Sequence, residues 1–103
     1  MSGFYSVQQI KFDVLAYVKE FSIHWTDWYI GVTDDPQAAL FGTHGLNRDL
    51  DIWLYKQAVS FAACRNVQKY YLETHKIDGE LVSNGTEDTD CVYLYKKSAR
   101  STP

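Results

Sequence analysis

Apolar residues recur at three- and four-residue steps near the start of the chain. Val7, Ile10, Val14, Tyr17, Val18 and Phe21 share one face of a helix over residues 6–21, while Gln8, Gln9, Asp13, Lys19 and Glu20 take the others. Ser6 stands where a hydroxyl oxygen accepts from the free amides of a first helical turn. Residues 28–33, WYIGVT, are β-branched and aromatic and predict a strand. It stops at Asp34-Asp35-Pro36, which is also a helix start: Asp35 caps, and Pro36 loses no hydrogen bond in the first turn. The helix it opens, through Ala38, Ala39 and Leu40, is expected to be short, because Gly42 and Gly45 break it.

GLNRDLD reads as a loop and IWLYKQA as a second strand. A second long helix is expected over 60–75, with Phe61, Cys64, Val67, Tyr71 and Leu72 on its core stripe and Asn66, Lys69 and Glu73 opposite. Stepping about 100° per residue from Phe61 puts Gln68 at the centre of that stripe. A core-facing amide costs free energy unless hydrogen-bonded, so Gln68 either edges a cleft or completes a buried network; the network is the commoner arrangement. Segment 76–90 has Gly79, Asn84-Gly85 and five acids against one base, and predicts a solvated loop with room for a short hairpin. CVYLYKK gives a third strand, with Val92 and Leu94 alternating with Tyr93 and Tyr95 as in a half-buried strand. The polar end, 98–103, is expected to be a mobile tail. The order α-β-α-β-α-β predicts an α/β (α+β) fold in one domain, residues 1–103: a small three-stranded sheet packed with helices.

Composition narrows the function classes. The 103 residues suit one core, and 46% hydrophobic with 16% aromatic content argues against disorder. A net charge of −3 argues against broad attraction to nucleic acid or anionic lipid, leaving a protein partner favoured over nucleic acid. Cys64 and Cys91 match no Cys-x-x-Cys or Cys/His metal spacing and are read as reduced thiols in a cytoplasmic protein, with a disulfide as the minority reading. The start, MSGFYSVQQIKFDV, lacks a basic segment followed by an apolar run, so it is not expected to act as a secretory leader. No stretch nears the roughly 20 apolar residues of a membrane span. Nothing in the pattern fixes an oligomeric state.

The run WYIGVTDDPQAAL resembles the strand and following helix of GIY-YIG nuclease domains, and IWLYKQA and SFAACRNVQKYYLETH follow in the family's order. FSIHWTD leaves no room for the Gly-Ile-Tyr strand before Tyr29, whereas CVYLYKK resembles it. The resemblance, over residues 28–75 and 91–97, therefore implies a circularly permuted nuclease-like unit with strand 91–96 beside 28–33 and helix 60–75 packed on them. Tyr29 and Gly31 match the YIG motif, and Tyr93 matches the GIY tyrosine under permutation. The family's arginine falls at Ala39 and its metal-binding glutamate at Gln68. An alanine offers no charge to a phosphate, and an amide holds a hard cation far less well than a carboxylate. The resemblance thus implies a catalytically degenerate domain, with Ala39, Gln68, Tyr29 and Tyr93 facing a common cleft.

Other candidates stand apart from the resemblance. His44 and His24 are loop histidines, each a conceivable general base, but no serine or cysteine has an identifiable partner, and a lone loop histidine is usually a surface residue. His75 suits a helix-end role. Cys64 reads as a small core hydrophobe. Arg65, Lys69, Lys76, Lys96, Lys97 and Arg100 are weak binding candidates; a solvated helix face and a charged tail explain them as well. Eight tyrosines make an aromatic interaction surface plausible. The leading expectation is a binding module without turnover and without a cofactor. An active metal-dependent phosphodiesterase on nonstandard residues, using Mg or Mn, is one alternative, and a small regulatory or structural partner is another.

Overall fold

The computed structural model describes residues 4–99 and 101–102. Helix α1 runs Val7–Phe21 and buries Ile10, Val14 and Val18, with the Ser6 oxygen accepting from the Gln9 amide at 3.1 Å. Helix α2 runs Phe61–Thr74, capped in the same way by Ser60 onto Ala63, at 3.0 Å. Both lie where the apolar periodicity puts them.

Four strands make one mixed sheet: β1 Phe4–Tyr5, β2 Trp28–Thr33, β3 Trp53–Ala58 and β4 Cys91–Lys96, in spatial order β1-β3-β4-β2. The fold is α+β as expected, but the sheet has one strand more than the sequence pattern gives. β1 is two residues long and pairs in parallel with Gln57 and Ala58, too short for any alternation to show. β4 sits centrally, antiparallel to both β2 and β3, so strand 91–96 does lie beside 28–33.

β4 is not half-buried. Val92 and Leu94 face α1 and α2 in the larger core, with Ile10, Trp28, Ile30 and Val67. Tyr93 and Tyr95 are also buried, against Leu40 and Leu46 on the opposite face. The covering layer there is the segment between β2 and β3. The Asp35 carboxylate accepts from the Ala38 amide at 3.1 Å, as the Asp-Asp-Pro signal implies. The helix then widens into a π turn, Ala38–Thr43, that runs through Gly42 instead of breaking there; Gly45, at φ 68°, ends it. Two layers of side chains on one small sheet explain the high aromatic content.

Segment 76–90 forms no hairpin. Its start lies along the outer edge of β2, the Ile30 amide donating to the Asp78 carbonyl at 2.9 Å and the Asp78 amide to the Trp28 carbonyl at 3.1 Å. Lys76 holds a left-handed φ of 61° just after α2. A lysine pays for that conformation with its Cβ, so Lys76→Gly is expected to raise stability by about 0.5–1 kcal/mol in urea unfolding.

Of the tail, Thr102 is tied back: its amide donates to the His44 carbonyl at 2.9 Å and its hydroxyl to the Thr43 carbonyl at 3.1 Å. Arg100, one of the basic candidates, lies outside the described residues. Cys64 and Cys91 are buried and unpaired, and burial pushes their thiols up to about 12 and about 11. Among the described residues, no helix is long and apolar enough to cross a membrane.

Candidate functional site

On the sheet face away from α1 and α2, a cleft of about 500 Å³ opens between Tyr29, Tyr93, His44 and Thr43 on one side and Asp78 and Glu80 on the other. An adjoining hollow of about 400 Å³ shares Tyr29, Tyr93 and Glu80 and adds Gly31 and Val82. The strands set the floor. Antiparallel pairing puts Tyr29 opposite Tyr95 and Gly31 opposite Tyr93. The rings of Tyr29 and Tyr93 stack with centroids 6.4 Å apart, and those of Tyr29 and Tyr95 with centroids 5.2 Å apart. Gly31 is what lets Tyr93 lie down: a Cβ there would overlap the end of the phenol ring.

His44 holds this floor from below. It is only 3% exposed, which corrects its reading as a surface residue. The π turn delivers it to the tyrosines, where Nε2 is 2.9 Å from the Tyr93 hydroxyl and Nδ1 is 2.6 Å from the Thr102 carbonyl. A carbonyl only accepts, so Nδ1 carries the hydrogen. Nε2 shares the second hydrogen bond with the Tyr93 hydroxyl, so both ring nitrogens are engaged and the ring plane is fixed. The Tyr95 hydroxyl lies 3.0 Å from Nδ1 and completes the cluster.

The cleft is electronegative. Burial, followed by the Glu80 and Asp78 carboxylates, raises the Tyr29 pKa above that of an ordinary phenol. Burial dominates the upward shifts of Tyr93 and Tyr95 as well. Asp78 is partly neutralised by Lys97, whose Nζ lies 3.4 Å away.

No family model, curated protein or solved structure matches the chain. The site therefore rests on its own geometry.

The motif positions divide between two faces. Tyr29, Gly31 and Tyr93 line the cleft, and Ala39 packs half-buried against the Tyr93–Tyr95 cluster. Gln68 does not join them. It is fully buried, and its amide reaches over the β2 edge from the helical side. Nε2 donates to the Ile30 carbonyl at 3.2 Å and the Glu80 carbonyl at 2.8 Å, while Oε1 accepts from the Val82 amide at 3.0 Å. Gln68 thus completes a buried network and fastens the loop that walls the cleft. Neither of the family's two polar positions offers a ligand to a divalent metal: Gln68 has spent both ends of its amide on backbone, and Ala39 contributes no donor. Among the described residues, no group of three or more His, Cys, Asp or Glu side chains is placed to hold a metal ion.

The basic candidates also separate. Arg65 and Lys69 line a groove on the helical side, whereas Lys96 and Lys97 line one beside Asp51 and Ser98. His24 is exposed, and His75 ends α2 stacked on Trp25 at 4.1 Å. Sequence reasoning missed His44, Tyr95, Asp78, Glu80 and Thr102 as parts of one site. Tyr95 carried a signal, as the i+2 neighbour of Tyr93 on the same strand face. The loop residues carried none.

Proposed function

We propose that this chain is a nuclease-like scaffold working without turnover as a protein-binding module, and that its cleft takes a basic side chain of the partner. The observation that carries this is the meeting of stacked tyrosine rings with two carboxylates at one cavity. A guanidinium or ammonium gains from the ring face, by about 0.5–2 kcal/mol, and again from a carboxylate partner. A phosphate entering the same cleft meets Asp78 and Glu80 as like charges and is repelled, which favours protein over nucleic acid. The nuclease-like part of the reading is supported by the register that sets Gly31 opposite Tyr93, and by α2 packed on β2 and β4. Two buried, unpaired cysteines favour a cytoplasmic setting.

A short arginine-bearing peptide is expected to bind more tightly than its citrulline analogue, which keeps the shape and loses the charge. Glu80→Gln is expected to weaken the arginine peptide about twofold to fivefold in calorimetric titration, the scale of an exposed charge pair. Equal affinity for the two peptides overturns the cleft assignment.

One observation favours a second reading. The Tyr93 hydroxyl, the His44 imidazole and the Thr102 carbonyl stand in the order of a nucleophile, a base and the group that orients the base. Burial works against it, since a phenol with a raised pKa is a poorer nucleophile at neutral pH. Purified protein with magnesium or manganese is accordingly expected not to cut plasmid or single-stranded DNA above background. Cleavage that disappears on Tyr29→Phe or Tyr93→Phe would establish the enzymatic reading instead.

A further inference from the structure

The helical side of the molecule carries a second, oppositely charged surface. An open groove of about 450 Å³ runs between α1 and α2, lined by Lys11, Arg65, Asn66, Lys69, Tyr70 and Glu73 among others. It gathers three cations against one carboxylate in a chain whose net charge is −3. The ion pairs found among the described residues are Lys56–Asp13 and Lys97–Asp78, so Lys11, Arg65 and Lys69 have no carboxylate partner there. Arg65 is aimed by its backbone contact, Nε donating to the Val82 carbonyl at 3.0 Å, and its terminal nitrogens remain for a ligand. Lys11 is held with Nζ 4.4 Å from the centre of the Tyr70 ring.

From these observations we infer that the groove is a docking site for an acidic, extended peptide segment of a partner protein, separate from the tyrosine cleft and independent of what the cleft binds. Spacing favours an extended chain. Arg65 and Lys69 are four helical residues apart, a rise of about 6 Å, close to the roughly 6.7 Å between alternate side chains of a strand. Carboxylates at alternate positions therefore meet successive cations. Single-stranded nucleic acid has a similar phosphate repeat but needs open aromatic faces for its bases. Tyr70 offers a poor one: Lys11 sits over its ring, and Tyr71 and His75 meet it edge-on at 4.9 and 5.5 Å.

The probe is an eight-residue peptide alternating Asp and Ser, titrated into the full chain and followed by amide chemical shifts. Binding is expected to move residues 62–74, to weaken at least tenfold for Lys69→Glu, and to weaken similarly between 50 and 300 mM salt. An Asn-Ser peptide is expected not to bind. Lys69 is exposed, so the fold should tolerate the change; Lys11→Glu serves as a second variant, and Arg65 is left intact because it also holds the loop. Binding of the arginine peptide to the cleft should be unaffected by Lys69→Glu, which separates failure here from failure of the cleft assignment. Equal binding of the acidic peptide by wild type and both variants overturns the inference. So does tighter, Lys69-dependent binding of an oligothymidylate.

Discussion

Gln68→Leu is expected to lower the free energy of unfolding by about 3–4 kcal/mol, although leucine fits the volume and suits the surrounding apolar stripe. Three backbone groups depend on this amide: the carbonyls of Ile30 and Glu80 and the amide of Val82. Each costs about 1–3 kcal/mol when buried without a partner. Glu80 is exposed and Val82 half-buried, so water can relieve part of the loss on the loop side. Against a total of about 5–15 kcal/mol for a domain of this size, the change is severe. Urea unfolding measures it, and hydrogen exchange at the Val82 amide should accelerate by a comparable factor. A loss below about 1 kcal/mol would mean the network contributes no more than one ordinary hydrogen bond.

The conservative-looking Gln68→Glu is expected to be worse near neutral pH and milder in acid. A carboxylate at 68 would face two carbonyl oxygens, both acceptors, inside the core. Burial and these acceptors favour its protonated form, so its folded pKa rises above the ordinary value of about 4.3. Below about pH 3 both folded and unfolded states hold the proton, and the acid can donate to one carbonyl. As pH rises, the unfolded state releases that proton first, and the deficit relative to wild type grows until the folded pKa is passed. Manganese is expected to shift the melting temperatures of wild type and variant equally, because residue 68 lies behind the cleft wall and not in it.

Gln68 also shows how far the sequence is legible. Its place on the α2 stripe followed from the helical period, and its burial obliged it to find partners. Which partners it found was beyond any local pattern, since they lie on β2 and on a loop 12 to 14 residues downstream. The helices, β2, β3 and β4 were readable because each is long enough to repeat an apolar spacing. β1 was not, at two residues, and the π turn was hidden because Gly42 reads as a breaker while the turn simply passes through it. The second core layer escaped for a related reason. Tyr93 and Tyr95 look like an exposed aromatic face until Leu40 and Leu46, from a segment with little periodicity, close over them. His44 was hidden with them: the hydrogen bonds to its ring all come from residues 49 to 58 positions away.

The cleft itself should collapse when a single methyl group is added at its floor. Gly31→Ala is expected to cost about 2–4 kcal/mol and to abolish binding of the arginine peptide. The new Cβ would overlap Cζ, Oη and Cε1 of Tyr93. A free tyrosine would rotate away at little cost, but this ring is held between the Tyr29 ring at 6.4 Å and the His44 imidazole, with which it shares a 2.9 Å hydrogen bond. Displacement therefore adds the lost bond, about 1 kcal/mol, to an overpacking cost of about 1–3 kcal/mol. A double-mutant cycle separates this from any intrinsic effect of alanine in the strand, which should be small or favourable. On a Tyr93→Ala background the ring is gone, and Gly31→Ala is expected to change stability by less than about 0.5 kcal/mol, leaving a coupling of about 2–4 kcal/mol between two residues paired across β2 and β4. Additive effects of the two substitutions would mean that Gly31 serves the strand alone, and that the floor of the cleft does not depend on the space it leaves.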